Sequence, residues 1–293
     1  MNFWRFPRKI LVCFILPILI LSGCAYKRMI FNNLDWLVVY QMDSYLDLTS
    51  AQEKSIKVPV QDTVDWLKAE RLPAITDLLR DVQTAVQARK IDAKSYESWV
   101  KRVSVWRLEV TERITPPLST LLKQLDASQI DHLERKLAKS DKNLVNLLER
   151  SDSEFPDEFA DYVDEAAAGY KFWVGKLRKD QKALLVDKLG WNRAMLTEQL
   201  KQRRQARQFW IELLKKRDRD QLATAIRNSA HPEGSFRDPD HLRFRKESQE
   251  RAQGFLIALF ASLDQEQWQH LEKVVKELVV DMEALNMAER SGS

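Results

Sequence analysis

The sequence predicts an all-α protein, built as a multi-helix array from two related helical halves. After residue 23 the chain has six glycines and is rich in Leu, Ala, Glu, Lys, Arg and Gln, which are residues that favour helices. Apolar residues recur at helical spacing in 130–148 and 196–226, and no segment alternates with a period of two. Residues 107–134 also lie over residues 245–272 without a gap, with twelve identical positions, which indicates an internal duplication.

The first element is a secretion signal. Three cations (Arg5, Arg8 and Lys9) precede an apolar run over residues 10–21, which is too short to span a membrane and typical of a signal peptide. Leu21-Ser22-Gly23-Cys24 then resembles a bacterial lipobox, in which the cysteine is lipidated and becomes the first residue after cleavage. We therefore predict a signal peptide over residues 1–23 and a lipid on Cys24. The alternative is an unmodified cysteine near an ordinary signal cleavage site.

These features also predict the location. Removing residues 1–23 from the 293 leaves 270 residues, and loss of the three cations lowers the formal net charge from +4 to +1, so nucleic acid is not an expected partner. Cys13 leaves with the signal and Cys24 is consumed by the lipid, so we expect no disulfide. The lipid predicts membrane attachment. Ala25 is not the aspartate that retains lipoproteins in the inner membrane, which favours the periplasmic face of the outer membrane.

Helix breaks predict the remaining elements in order. The fold is expected to begin close to the membrane, near Leu34. Prolines at 59, 73, 116 and 117 are expected to begin or kink helices, because proline lacks the N–H needed inside one. A break over 151–156 separates an N-terminal half, residues 24–150, from a C-terminal half, residues 151–293. Residues 229–240 have two prolines and a glycine and predict an exposed loop.

The motif Leu-Asp-x-x-Gln stands at 125–129 and 263–267, with a third copy at 48–52 that has Thr in place of Asp and a degraded fourth copy at 177–181. Its spacing is that of a capping box, in which Thr49, Asp126 or Asp264 accepts from the amide three residues on, and the Gln side chain bonds back to the amide of the cap. The fourth copy is degraded, because Arg178 occupies the cap position. The motif predicts four helix starts.

The first copy, Leu48-Thr49-Ser50-Ala51-Gln52, resembles the LTxxQ signature of the Spy/CpxP periplasmic proteins, which are helical stress chaperones. The segment from Phe31 through Leu34-Asp35-Trp36-Leu37 to Gln52 resembles the start of an uncharacterised family of proteobacterial helical lipoproteins. Phe31 and Tyr40 depart mildly from that pattern, where Tyr and Trp are expected. The second resemblance implies a helical fold and an envelope location, and no activity.

Six polar residues occupy matched positions in the two halves and form one candidate set: Arg107 with Arg245, Glu112 with Glu250, and Arg113 with Arg251. Glu109 and Arg113, like Glu247 and Arg251, are four apart and are expected to pair along their helices. Either a buried polar network between helices or simple inheritance from one ancestor explains why both halves keep these residues.

The stretch 193–219 is strongly basic, and the stretch 149–165 is acidic. Two interpretations stay open: solvated faces that neutralise one another, or a basic interaction face for anionic lipid or an acidic partner. The residues of that candidate face are Arg203, Arg204, Arg207, Lys215, Lys216 and Arg217.

No catalytic motif, phosphate loop, metal-binding histidine pair or cofactor signature is present in the sequence. His132 and His270 occupy matched positions, but the neighbouring Glu134 and Glu272 are two residues away and point in other directions on a helix, so helix-surface histidines are expected. We predict a protein that is not an enzyme and binds envelope proteins as a scaffold or chaperone. The alternatives are a dedicated assembly factor for one partner and an enzyme acting on cell wall or lipid.

Overall fold

The computed structural model describes residues 33–292, and within that range it is entirely helical, without strands. The signal peptide and Cys24 lie outside the described residues. The helices are α1 (Leu34–Leu46), α2 (Ser50–Gln87), α3 (Ala93–Lys123), α4 (Ala127–Lys139), α5 (Lys142–Leu148), α6 (Phe155–Ala168), α7 (Lys171–Val174), α8 (Lys179–Leu189), α9 (Arg193–Lys216), α10 (Arg219–Ser229), α11 (Pro239–Ala261) and α12 (Gln265–Gly292). The predicted all-α class is confirmed.

Some helix pairs lie within one half of the sequence and others cross between the halves. Helix α2 packs on α3, and α8 on α11, within one half, whereas α2 also lies along α12 and α3 packs on α10. One hydrophobic core joins α1, α2, α3 and α4 to α9 and α10, and a second joins α5, α6 and α8 to α9, α11 and α12. Helix α9 contributes to both cores, so the packing ties residues before and after position 150 together. The boundary at residue 150 stays a prediction from the sequence.

The predicted capping boxes are present at three of the four motifs. Thr49 Oγ1 accepts from the amide of Gln52 at 3.3 Å, and Gln52 Oε1 accepts from the amide of Thr49 at 2.9 Å. Equivalent bonds join Asp126 with Gln129 and Asp264 with Gln267. At the fourth motif only the return bond forms, from the Arg178 amide to Gln181 at 3.0 Å, because a guanidinium cannot accept.

The capping glutamines also pair across helices. Gln52 and Gln129 exchange amide hydrogen bonds of 3.1 and 2.8 Å, and Gln181 and Gln267 exchange bonds of 2.8 and 3.0 Å. Each amide nitrogen also donates to the carbonyl oxygen five residues before its partner glutamine. The two glutamine pairs therefore have the same bonding pattern in both cores. A common origin of the two halves stays a prediction.

The prolines at 59, 73, 116 and 117, which were expected to begin or kink helices, all lie inside helices. Two are in α2 and two in α3, and none of these four begins a helix. A proline removes one backbone donor. Nearby hydroxyl groups bond to carbonyls of the same stretches: Thr63 Oγ1 donates to the carbonyl of Pro59 at 2.8 Å, and Thr120 Oγ1 to that of Pro116 at 3.0 Å. Packing on both sides of these long helices favours their continuation.

The two predicted breaks are confirmed. Helix α5 ends at Leu148 and α6 begins at Phe155, while α10 ends at Ser229 and α11 begins at Pro239. The second loop is only partly exposed, because Gly234 is buried. Between residues 33 and 292, no helix combines the length and the apolar character that a membrane span needs.

Candidate functional site

A cavity of about 360 Å³ lies between α9, α11 and the loop over 230–238. Its lining combines aliphatic side chains with three further kinds. The aromatic residues are Tyr96, Tyr170, Trp191, Trp210, Phe236, Phe244 and Phe255; the cationic ones are Arg203, Arg245 and Arg251; the other polar ones are Gln199, Gln202, Ser229, Ser235, His241 and Ser248. No aspartate or glutamate is among the described residues that line it.

The aromatic wall is assembled from distant segments. The ring of Tyr170, between α6 and α7, meets the buried ring of Phe255 of α11 edge-on, with centroids 5.3 Å apart. The loop contributes Phe236, whose ring lies 5.6 Å from that of Phe209. Burial raises the pKa of Tyr170 to about 12 and also raises that of Tyr96. Both phenols are therefore neutral at pH 7, and the wall is apolar apart from their hydroxyl groups.

A hydrogen-bonded chain runs from the surface of α9 into the cavity. Glu198 accepts from the side-chain amide of Gln202 at 2.6 Å, and this bond lowers the pKa of Glu198. The other end of the Gln202 amide, Oε1, lies 2.8 Å from His241 Nδ1. Because an amide oxygen only accepts, this orientation places the proton of His241 on Nδ1. The histidine ring is thereby held in one orientation.

Arg245 is the cavity arginine without a carboxylate partner among the described residues. Its Nε and Nη2 donate to the carbonyl oxygen of Pro232 at 3.1 and 2.5 Å. Burial of the guanidinium, together with the positive charge of Arg107, lowers the pKa of Arg245 to about 10. Arg107 is itself largely buried, which lowers its pKa, and its Nε has no hydrogen-bond partner in the described part of the chain.

The other two cavity arginines have carboxylate partners. Arg251 pairs with Glu247 at 2.6 Å, one turn earlier on α11. Arg203 lies 3.3 Å from the buried carboxylate of Asp141, which also accepts from Arg207 at 2.8 Å. Arg245 is therefore the cavity arginine that has no carboxylate within ion-pair distance among the described residues, and the positive charge of Arg107 acts on it.

Two polar atoms of the cavity are buried without a partner among the described residues. They are Ser248 Oγ and Gln199 Oε1. Buried polar atoms in folded proteins almost always have a hydrogen-bond partner, from the protein or from something bound to it. The hydroxyl of Ser248 and the guanidinium of Arg245 can donate hydrogen bonds to a ligand, and Gln199 Oε1 can accept one.

The six matched polar residues do not form one network in the structure. Arg107 and Arg245 come close enough for their charges to interact, whereas Glu112 pairs with Arg227 at 3.0 Å and Glu250 lies 4.0 Å from Lys246. The pairing of Glu247 with Arg251 along α11 is confirmed.

The expected pairing of Glu109 with Arg113 is wrong. Glu109 receives two bonds from Arg71 of α2, at 2.7 and 3.0 Å, and Arg113 lies 4.1 Å above the ring of Trp66. Partners on the packed neighbouring helix replace the local one, because a bidentate guanidinium contact is stronger than an exposed pair four residues apart.

The basic stretch of α9 does not form one solvent-facing surface. Arg203 is buried and Arg207 is largely buried, both against Asp141, so neither belongs to an exposed interaction face. Arg204, Lys215, Lys216 and Arg217 are exposed, and an interaction role for them stays a prediction. Between the acidic and basic stretches one ion pair is present in the described chain, Arg193 with Asp152 at 3.5 Å.

The matched histidines contact backbone. The Nε2 of His132 lies 3.3 Å from the carbonyl oxygen of Ser44, near the end of α1, and that of His270 lies 2.9 Å from the carbonyl oxygen of Phe172 in α7. Within residues 33–292 no three side chains of His, Cys, Asp or Glu cluster as a metal site would require.

Sequence reasoning missed most of the cavity. Tyr96, Trp210 and Ser248 are far apart in the chain and belong to no motif. The available signal was the match between Arg107 and Arg245, two residues that the fold brings together. The proline-containing loop was predicted, but its part in closing a cavity depends on tertiary packing.

A family model matches residues 44–231, which is more than half of the chain; its description is a family of unknown function, DUF6279. The chain belongs to this family. No curated protein and no solved structure matches it. The match includes Arg107 and the cavity face of α9 but ends before α11, which supplies Arg245 and Ser248. Membership in an uncharacterised family is thereby confirmed, while a proteobacterial source and the resemblance to Spy/CpxP proteins stay predictions.

Proposed function

We propose that the protein is a non-enzymatic binding module of the cell envelope, attached to a membrane by lipid on Cys24 and serving envelope proteins as a scaffold or chaperone-like factor. The observation that carries the proposal is the cavity between α9 and α11. It offers aromatic surface, a guanidinium without a carboxylate partner and unpartnered polar atoms, all of which serve recognition. The hydrogen-bonded chain from Glu198 through Gln202 to His241 holds the histidine ring in place at the cavity.

An exposed aromatic pair supports the membrane attachment. Trp36 and Tyr40 of α1 stack at 5.3 Å and are 59% and 56% exposed. They follow Cys24 by twelve and sixteen residues. Tryptophan and tyrosine are enriched where a protein meets the membrane–water interface. A lipid on Cys24 would hold α1 near such an interface.

Attachment is tested by fractionating cells that carry the full-length protein. The wild type is expected in the membrane fraction and labelled by a fatty-acid analogue. Cys24→Ser is expected to lose the label and leave the membrane, whereas Cys13→Ser, in the predicted signal, keeps both properties. Label on the Cys24→Ser variant would contradict a lipid at this position.

The binding function is tested by photo-crosslinking in cells from inside the cavity. A photoreactive phenylalanine at Trp210 probes the cavity, and the same residue at Val58, which is 60% exposed on α2, is the matched control. We expect adducts from position 210 that are absent from position 58. One dominant protein would assign a dedicated assembly factor, and a broad set of proteins would assign a chaperone. Equal adducts from both positions, or none from position 210, would overturn the proposal.

A further inference from the structure

Two arginines beside the cavity lack a counter-charge. Arg245 lines the cavity and Arg107 stands close to it, and neither has a carboxylate within ion-pair distance among the described residues. Glu233 acts on Arg245 only through its more distant charge. Two like charges that are partly removed from water are unfavourable, and an anion placed beside them removes part of that cost.

The face of α11 that meets the cavity provides a donor next to this charge. Ser248 follows Arg245 by three residues, so both side chains lie on one face of the helix. Ser248 Oγ is buried without a partner, and Nη1 of Arg245 has no hydrogen bond within the described chain. An anionic oxygen between them would receive one hydrogen bond from each group. Both residues line the cavity, and no side chain of the described residues forms a hydrogen bond with either atom.

Arg245 is held in position by its surroundings. The loop residue Gly234 has φ +74, and a Cβ atom on it would lie 2.9 Å from Nη1 of Arg245. The backbone of the loop therefore packs directly on the guanidinium, while the carbonyl of Pro232 receives its Nε and Nη2. The guanidinium is fixed with its third nitrogen uncommitted.

The rest of the cavity favours a ligand whose remaining part is apolar. Its wall is mainly aromatic and aliphatic, which suits the apolar chain of a ligand. A volume of about 360 Å³ is at the small end of ligand sites, which suits one chain better than a two-chain lipid.

We propose that the cavity binds a single-chain amphiphilic anion, with its carboxylate or phosphate group at Arg245 and Ser248 and its apolar chain against the aromatic wall. This inference rests on the proposed binding function and names the ligand class of the same cavity. A free fatty acid and a singly acylated phospholipid share this chemistry.

The test measures tryptophan fluorescence of the full-length lipoprotein in phosphatidylcholine vesicles, titrated with decanoate, decyl phosphate and decanol. We expect saturable binding of at least one anion, with a Kd at least tenfold below that of decanol. Decanoate alone would identify a fatty acid, decyl phosphate alone a phosphorylated lipid, and binding of both the shared anion chemistry. Partition into the vesicles is the same for every variant and cancels in their comparison.

Variants locate the site. Arg245→Met is expected to weaken the anion at least tenfold and to leave decanol unchanged, while Arg243→Met, on the exposed side of the same helix, changes neither. Ala252→Phe fills the cavity and is expected to abolish all binding. If Arg245→Met fails to fold, Ser248→Ala and Arg107→Met test the same anion site.

Three results would overturn the inference: equal affinity for decanol and the anions, unchanged anion affinity in Arg245→Met, or no binding of any probe. If protein adducts still form from position 210 in the last case, the binding function stands and a protein segment replaces the amphiphile. If neither occurs, both proposals fall.

Discussion

Two groups of arginines that are at least partly buried differ in one respect. Arg203 and Arg207 of α9 share the carboxylate of Asp141, whose side chain is 4% exposed. Arg107 and Arg245 are close enough for their charges to interact and have no such carboxylate among the described residues. Removing a cation from water is less costly when a carboxylate pairs with it. The described fold therefore supplies a counter-charge to the first group and none to the second, where we propose that a bound anion supplies it.

This difference also decides which basic residue we propose for binding. The stretch 193–219 has the highest density of positive charge, yet its two most buried arginines are committed to Asp141. Arg245 belongs to a less basic segment and is the one that faces the cavity without a partner. Local charge density is therefore a poorer guide to a binding site than charge compensation.

The largest expected effect comes from breaking the compensated group. Asp141→Asn keeps the shape but leaves two buried guanidinium groups without their carboxylate, and we expect the free energy of unfolding to fall by about 3 kcal/mol. Urea denaturation followed by circular dichroism measures this. Asp240→Asn removes an exposed pair with Arg243 and is the control, with a change within about 0.5 kcal/mol. Equal effects of the two variants would mean that Asp141 is not needed to neutralise α9.

A buried pair without net charge gives the next effect. Gln129→Ala removes the partner of the Gln52 amide and the return bond to Asp126, and we expect a loss of about 2 kcal/mol in the free energy of unfolding. Gln208→Ala, at an exposed position of α9, is the matched control. In a double-mutant cycle with Gln52→Ala, the second substitution should cost less than it does alone; strict additivity would contradict coupling of the pair.

Substituting an arginine of the uncompensated pair, Arg107 and Arg245, should change stability in the opposite direction. Arg107→Met removes a buried Nε without a partner while keeping an apolar side chain, so we expect the unliganded protein to gain about 1 kcal/mol of stability. Thermal unfolding of the two proteins in parallel measures the shift in Tm. Arg113→Met, on the same helix, loses the contact with Trp66 and should lower Tm. A lower Tm for both variants would place a hidden counter-charge at Arg107.

The smallest effect concerns exposed charges. The hydrogen bonds that Asp126 accepts from Ser128 and from the amide of Gln129 lower its pKa in the folded protein. Its contribution to stability is therefore complete above the ordinary pKa of an aspartate and is lost as the pH falls through the lowered value. Asp126→Asn still caps α4 but does not titrate, so its unfolding free energy should fall less steeply with acid. Urea titrations across the acid range check this, and identical slopes would contradict it.

Much of the fold was predictable because its determinants are local. The glutamines at 52, 129 and 267 follow a cap residue by three positions, and this spacing alone defines where α2, α4 and α12 begin. The loop over 230–238 follows from its prolines and glycine. Such signals act within a few residues and do not depend on what packs around them.

The partners of those residues were not predictable in the same way. Glu109 has a suitable arginine four residues away, yet it binds Arg71 of α2. The pairing of Gln52 with Gln129, and of Gln181 with Gln267, needs two helix starts to meet in space. Only the packed structure decides between a local partner and a distant one, because a helix face offers each side chain several possible partners. Burial then strengthens the contact from which water is excluded.

By itself the sequence determined the helical class, the helix starts and breaks and, as a prediction, the lipid on Cys24. The tertiary structure decided that Arg203 pairs with Asp141, that Arg107 comes within electrostatic range of Arg245, and that α9, α11 and a loop line a cavity. The physical reason is that helix formation depends on hydrogen bonds and caps between near neighbours. Charge compensation and cavity shape depend on residues that are distant in the chain and share one low-dielectric interior.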